Sequence, residues 1–507
     1  MPPACEPPVP DVTVAIVGSG FGGIGMAAAL IQAGLTDVVL LERAADLGGT
    51  WRDNSYPGAA CDVPSHLYSF SFAPNPGWSR SFSPQPEIWE YLRRVAAAQG
   101  VTGKIRFKAE VTSARWDPAA RLWRIEIPGS TLTARFLVSA AGPLSDPLIP
   151  DIPGIGAFAG PVFHSAAWDH DHDLAGRRVA VIGTGASAIQ FTPRIQPLAG
   201  QVTVFQRTPA WILPRRDRAI SRLERWLFRQ VPVTQRAARA AIYCGREAYA
   251  AGFVKNPAIM RAAEGVALRH LRRQVADPGL RARLTPSYRM GCKRILLSSD
   301  YYPALTQPNV SLVTAGIAEI RADSVVAADG TAYQADTLIF GTGFHVTDFP
   351  FARRVFGTDG DSLASRWSAR PARTAFRGTT TPGFPNLFVL TGPNTGLGHT
   401  SQVFMIEAQI RYVLGALLHA RGHGADQVEV RPGPQAAYDK MVQRKMGRTV
   451  WVTGGCQSWY LDAEGRNVTL WPDFTWVYAR QTRRFDPSSY SLASGSGAAY
   501  LAASRAR

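Results

Sequence analysis

Cysteine is scarce and unpatterned. Five are spread over 507 residues, at positions 5, 61, 244, 292 and 456, and no Cys-x-x-Cys pair occurs. That excludes a dithiol redox enzyme, argues against a disulfide framework, and suits a reducing cytoplasm. Long apolar runs are missing too. Met26–Ile31 and Val413–Leu418 fall far short of the roughly 20 residues that span a bilayer. The start, Met-Pro-Pro-Ala-Cys-Glu-Pro-Pro, lacks the basic residues that open a secretory signal. Stable membrane insertion is therefore not expected. Acidic residues are outnumbered 38 to 55, leaving a net charge of +17. Such a field draws anions, yet no zinc-finger spacing and no aromatic RNA-binding signature accompanies it. The expected partners are phosphate-bearing cofactors, not nucleic acid, and no metal site is expected.

At 46% hydrophobic and 18% charged residues the composition is globular, and the length calls for two or three domains. Val12–Val17 is an unbroken apolar or β-branched run, as a buried parallel strand requires. A Gly-rich turn, an Ala/Leu-rich helical stretch and a second strand, Val38–Leu41, complete a βαβ unit. The same grammar returns from Arg178–Ile182 through Val202–Phe205. Arg115–Ile127 and Thr133–Ser139 read as strands of a small sheet, and further strands are expected at Val310–Val313, Thr337–Phe340 and Leu387–Leu390. The fold class is α/β, with two Rossmann-type dinucleotide-binding domains and a helical insertion. That insertion, residues 218–285, is rich in Arg and Ala. Its stretch around Trp226 and Phe228 suits either packing on its own protein or a membrane surface.

Gly18-Ser19-Gly20-Phe21-Gly22-Gly23 fits G-x-G-x-x-G between a strand and a helix. Gly18 permits the tight turn, Gly20 lets backbone approach a pyrophosphate, and Gly23 lets the helix pack on the strand. Glu42 closes the next strand, where an acid binds ribose hydroxyls. The second cradle is Gly183-Thr184-Gly185-Ala186-Ser187-Ala188. After its next strand stands Arg207 in place of an acid. Arg suits the 2′-phosphate of NADP, which an acid repels, although a structural salt bridge is the other use for it. The first site is thus expected to hold FAD and the second NADPH.

Three further stretches carry a resemblance. Phe158, Gly160, His164, Trp168 and Asp169 fit F-x-G-x-x-x-H-x-x-x-W-(P/D). Gly49-Thr50-Trp51 through Tyr56-Pro57-Gly58 and Asp62 fits G-x-W-x-x-x-x-(F/Y)-P-G-x-x-x-D, and Lys293-Arg294 precedes a strand-forming stretch. Together these resemble the Baeyer–Villiger monooxygenase family from about Val12 to Phe485. The resemblance implies an FAD domain of residues 12–147 and 345–485, an NADPH domain of 148–217 and 286–344, and the helical insertion of 218–285. Residues 1–11 and 486–507 are expected to be disordered and a flexible tail.

By the same resemblance Glu42, Trp51, Asp62, Tyr68 and Val111 contact FAD. Thr184 to Gln190 (including Ser187 and Ala188), Arg207, Thr208 and Lys293 hold NADPH. His164 is a hinge residue, not an acid–base group. The implied reaction uses O2 and a ketone: a C4a-peroxyflavin kept anionic by Arg294, itself aimed by Asp62, attacks the carbonyl and yields an ester or lactone. An N- or S-oxygenating flavin monooxygenase shares both cradles, and a non-oxygenating nucleotide-binding flavoprotein is a more distant rival. One loop departs from the family pattern. Gly392-Pro-Asn-Thr-Gly-Leu-Gly-His399 is longer than the Gly-Pro-x-Ser-Pro of the best-known cyclic-ketone members, so substrate choice does not follow by analogy. The aromatic segment Trp451–Trp471 suits either a pocket lining or core.

Overall fold

An unbroken apolar strand has no face to offer water, so it must be covered on both sides. Val12–Val17 (β1) is such a strand, and Val14, Ala15 and Ile16 are fully buried. The computed structural model describes residues 9–368, 374–462 and 464–494. In it β1 pairs in parallel with Val38–Leu41 (β2) on one side and Ser130–Ser139 (β6) on the other. The helix Phe21–Gln32 (α1) crosses between β1 and β2. The short helix Thr50–Asp53 (α2) and the helix Gln85–Ala98 (α3) follow. Ile105–Arg106 (β3) extends the sheet beyond β2.

Ser113–Asp117 (β4) and Leu122–Ile127 (β5) form a hairpin that joins β6. The expected small sheet is thus part of a larger, eight-stranded one. The first part of β6 is antiparallel to β5, while its last three residues pair in parallel with Leu387–Val389. A ten-residue strand is long enough to serve both partners, and nothing in its local pattern reveals that. Val355–Phe356 pairs with β4, so chain from both ends of the sequence builds this eight-stranded sheet.

The second sheet has five parallel strands, ordered Val310–Val313, Gln201–Phe205 (β9), Arg178–Ile182 (β8), Thr337–Phe340 and Val162–His164 (β7). The helix Ala188–Ile195 (α4) joins β8 to β9. Between this sheet's β9 and its last strands the chain forms mainly helices from Arg222 to Leu284, beginning with Arg222–Gln230 (α5) and Pro232–Ala250 (α6).

Other expectations need correction. Residues Tyr490–Ala493, expected in a flexible tail, form a strand antiparallel to Gln427–Val430, with Tyr490 buried against Tyr412 and Phe485. An aromatic anchor is what a Ser/Ala/Gly-rich composition hides; residues 495–507 lie outside the described residues. At the other end Asp11 is held by Thr133, whose amide and hydroxyl both donate to its carboxylate, while residues 1–8 lie outside the described residues. The apolar stretch around Val413 belongs to a 21-residue helix, Gln402–Gly422, long and apolar enough to cross a membrane. Here it packs on α1 in the core, with Val413, Ala416 and Leu417 buried. Cys292 and Cys456 form a disulfide across 164 residues of sequence, a pairing that linear spacing does not reveal. It ties the Lys293–Arg294 loop to the segment carrying Tyr460.

Candidate active site

Both Gly-rich turns sit at the carboxyl ends of central parallel strands, where open α/β sheets bind ligands. Gly18 has φ +98°, and a Cβ there would lie 2.7 Å from the Ala140 carbonyl oxygen. A Cβ on Gly23 would lie 1.9 Å from the Gly18 carbonyl oxygen. Only glycine lets α1 approach β1 this closely. No side chain caps the start of α1, so its first amides face the cleft with the positive end of the helix dipole. Gly183 repeats the arrangement in the second sheet, with φ +106° and the Gly341 carbonyl 2.6 Å from its would-be Cβ. Gly185 follows, Ser187 precedes α4 without capping it, and Ala188 is buried against Gly341.

The first turn opens on a cleft of about 240 Å³ lined by Gly18, Gly20, Glu42, Trp51, Tyr68 and Val111, among others. The Glu42 carboxylate accepts from the Ser19 amide at 3.0 Å, its hydroxyl at 2.6 Å, and the Ala44 amide at 3.0 Å. Arg52 pairs with it at 2.9 Å. Burial works against ionisation, but the Ser19, Ala44 and Arg52 contacts outweigh it and hold Glu42 below the usual range. It is therefore an ionised acceptor at the carboxyl end of β2, on the wall of the cleft. Trp51 Nε1 donates to the Tyr68 hydroxyl at 3.0 Å. Burial pushes the Tyr68 phenol far up, so it stays neutral.

Lys293 and Arg294 are adjacent in sequence and serve opposite sides. Lys293 faces Arg207; burial and the Arg207 charge lower its proton affinity. Neither Lys293 nor Arg207 makes an ion pair among the described residues, which sets aside the structural salt bridge for Arg207. Two converging cations without counter-charges suit a phosphate monoester. Thr208 lies alongside, its carbonyl 3.5 Å from the Thr184 hydroxyl. Gln190 links the second cradle to the first motif region. Its amide accepts from the Tyr56 hydroxyl at 3.0 Å and donates to the Ala60 carbonyl at 3.0 Å, tying α4 to the loop before Asp62.

Arg294 donates twice to one oxygen of Asp62, from Nη2 at 2.6 Å and Nε at 3.0 Å. The Asp62 charge, acting against burial, raises the guanidinium's already high proton affinity. Burial opposes the Asp62 charge, yet Arg294 and then Arg246 hold Asp62 below the carboxylate range. Sequence reasoning missed Arg246 and Arg52, and named Tyr460 only as part of the aromatic segment Trp451–Trp471. Arg246, on α6, donates to the Asp62 carbonyl at 3.2 Å; inside an Arg-rich helix it carries no distinguishing signal. Tyr460 is buried beside the pair, its phenol pushed up to about 12 by burial. Arg52 follows Trp51 directly in the second motif, and that adjacency was the signal available for it. The next residue after Arg246, Glu247, is also buried; it accepts from the Thr475 hydroxyl at 2.7 Å and lies 3.0 Å from His399 of the Gly392–His399 loop.

The fingerprint runs through β7, the edge strand of the second sheet. Phe158 is buried, and Gly160 passes so close to Asp336 that a Cβ would clash with its carbonyl. Trp168 packs on Phe163 and Phe191. Asp169 accepts from the Asp171 amide, and His170 meets Ser55 at 2.7 Å, joining this segment to the first motif region. His164 is buried and edge-on to Phe344. Burial lowers its pKa to about 4. An unfolded histidine titrates near 6.5, so between pH 6.5 and 4 the unfolded chain binds the extra proton. The stability this neutral ring contributes is thus complete above pH 6.5 and is lost as pH falls toward 4, by up to about 3 kcal/mol. His164→Gln is expected to flatten that part of the stability–pH curve relative to the parent, measured by urea unfolding at each pH; parallel curves would show that His164 titrates normally.

Two Gly-rich turns at the ends of parallel strands in separate sheets, with a fixed guanidinium–carboxylate pair reaching Tyr68 of the first cleft and, at the second, two cations without an ion pair among the described residues, define a two-dinucleotide flavoprotein oxidoreductase. A family model described as pyridine nucleotide-disulphide oxidoreductase matches residues 15–243. The chain is 54% identical to a Baeyer–Villiger monooxygenase of Streptomyces coelicolor, over 95% of this chain and 92% of that one. It is 49% identical to a Baeyer–Villiger monooxygenase of Pseudomonas aeruginosa, over 94% and 91%. Among solved structures, OTEMO in complex with FAD and NADP superimposes with TM-score 0.86 at 27% identity, covering 96% of this chain and all of that one. The chain belongs to the Baeyer–Villiger monooxygenase family, the FAD- and NADPH-dependent flavoenzymes.

Proposed function

We propose that this chain converts ketones to esters or lactones, with FAD in the Glu42 cleft and NADPH along the Gly183 cradle. The observation that carries the reading is the doubly hydrogen-bonded Arg294–Asp62 pair. Bound FAD supplies the activation of O2, using electrons from NADPH. The chain's residues decide what that activated oxygen does. Arg294 cannot release its proton in a protein, so it keeps positive charge beside the reacting oxygen and favours its anionic form. An anionic oxygen adds to a carbonyl; a protonated one oxidises sulfur or nitrogen. Asp62 aims the guanidinium through two bonds, and Arg246 offsets the remaining negative charge of Asp62. Lys293 and Arg207 grip the 2′-phosphate, Glu42 accepts from ribose hydroxyls, and Trp51 with Tyr68 forms an apolar wall with one fixed hydroxyl. The division into an FAD domain of 12–147 and 345–485, an NADPH domain of 148–217 and 286–344, and an insertion of 218–285 is part of this reading. So is a cytoplasmic location, where NADPH is regenerated.

The test is a competition between chemistries. Purified protein with NADPH and O2 is offered cyclic and linear ketones alongside a thioether. The expected main products are esters and lactones one oxygen atom heavier than the ketones. Sulfoxide with no ester from any ketone would overturn the reading.

A further inference from the structure

α5 and α6 have two different faces. The inner face docks on the first sheet's domain. Phe228 is buried edge-on to His66, Gln235 donates to the Asn75 carbonyl at 2.7 Å, and Arg239 donates to the carbonyls of His66 and Ser69. Arg246 reaches Asp62 from this same side. The outer face is also apolar, and none of the described residues covers its large apolar side chains. Leu223 is 71% exposed and Trp226 56% exposed, with Leu227 beside them at helical spacing. Val231 and Val233 continue the series across the junction into α6. Along α6 the exposed positions carry Ala237, Ala241, Cys244 and Ala248, and the only charge among them is Arg236. Five exposed large apolar side chains within eleven residues are more than the scattered surface hydrophobics of an ordinary monomer.

The charge of the segment that carries this face identifies its occupant. Residues 218–285 hold fourteen Lys and Arg against four Asp and Glu, a net +10 and more than half of the chain's +17. On α5 itself Arg222, Arg225 and Arg229 flank the apolar residues. A second copy of the chain would press one +10 segment against another, which like-charge repulsion disfavours. An anionic phospholipid surface satisfies both properties together. Its phosphates pair with arginines, and its headgroup–acyl boundary accepts leucine, valine and the amphipathic indole.

We propose that the outer face of α5 and the start of α6 docks this protein on the surface of an anionic phospholipid bilayer. The contact is peripheral, with α5 lying in the interface plane and no segment crossing. α6 then shows lipid one face and the Asp62–Arg294 pair the other.

The experiment is co-sedimentation of the full-length holoprotein with vesicles of phosphatidylglycerol mixed into phosphatidylcholine, against vesicles of phosphatidylcholine alone. Partitioning onto the anionic vesicles is expected to be at least about tenfold stronger and to weaken at high salt. The double variant Leu223→Ser/Trp226→Ser removes two exposed side chains, so its fold is kept. It is expected to lose about tenfold or more of that partitioning while oxidising a water-soluble ketone at the parental rate. Three results would overturn the proposal. One is no binding to anionic vesicles. Another is equal binding by parent and double variant, which marks diffuse charge adsorption. The last is a parental dimer that the variant splits, which would make a second copy the occupant.

Discussion

Arg294→Ala is expected to keep FAD bound while ester formation falls about 10²–10³-fold, the loss that follows removal of one preorganised charge from a reacting anion. Arg294 does not line the Glu42 cleft, so flavin absorbance and cofactor stoichiometry should be unchanged. NADPH consumption should persist with oxygen diverted to hydrogen peroxide, because a reacting oxygen without its cation is protonated and leaves. Arg294→Lys separates charge from geometry. Lysine keeps the charge, but a single ammonium cannot make the paired Nε and Nη2 bonds to Asp62. Its ester yield per NADPH should fall between parent and alanine variant. An alanine variant that makes ester at the parental rate would remove Arg294 from the chemistry.

Arg207→Ala is expected to raise KM for NADPH by roughly 10–100-fold and to leave KM for NADH nearly unchanged. Bonds to a charged group contribute about 1.5–3 kcal/mol each, and every 1.4 kcal/mol is tenfold. Arg207 is exposed and makes no ion pair among the described residues, so its removal strands no buried partner and should not disturb folding. Lys293, which faces Arg207, keeps part of the grip, so the preference for NADPH shrinks but does not invert. Steady-state kinetics with both nucleotides decide it. An equal rise in both constants would place Arg207 away from the 2′-phosphate.

Much of the nucleotide-binding fold was legible locally because a βαβ unit is a local object. Val12–Val17, Val38–Leu41 and Arg178–Ile182 are strands at the boundaries their apolar runs indicate. Gly18 and Gly23 stand where a Cβ would strike backbone. Misreadings fell where partners are distant. β6 splits its pairing between β5 and Leu387–Val389, and a strand's own residues do not say who lies beside it. Tyr490 anchors a strand inside what composition marks as a tail, through contacts with Tyr412 and Phe485.

Residue type and spacing within about thirty residues determined the two cradles, the acid at one and the cation at the other, because backbone sterics and phosphate charge act at that range. They also set the Lys293–Arg294 pair and the excess of positive charge. Tertiary structure alone decided that Arg246 of α6 joins Asp62, 184 residues away in sequence, that Cys292 meets Cys456, and that Trp226 faces outward while Phe228 faces in. Those outcomes depend on how separately folded elements pack, and the energy of a buried charge or an apolar face is defined only by what ends up beside it.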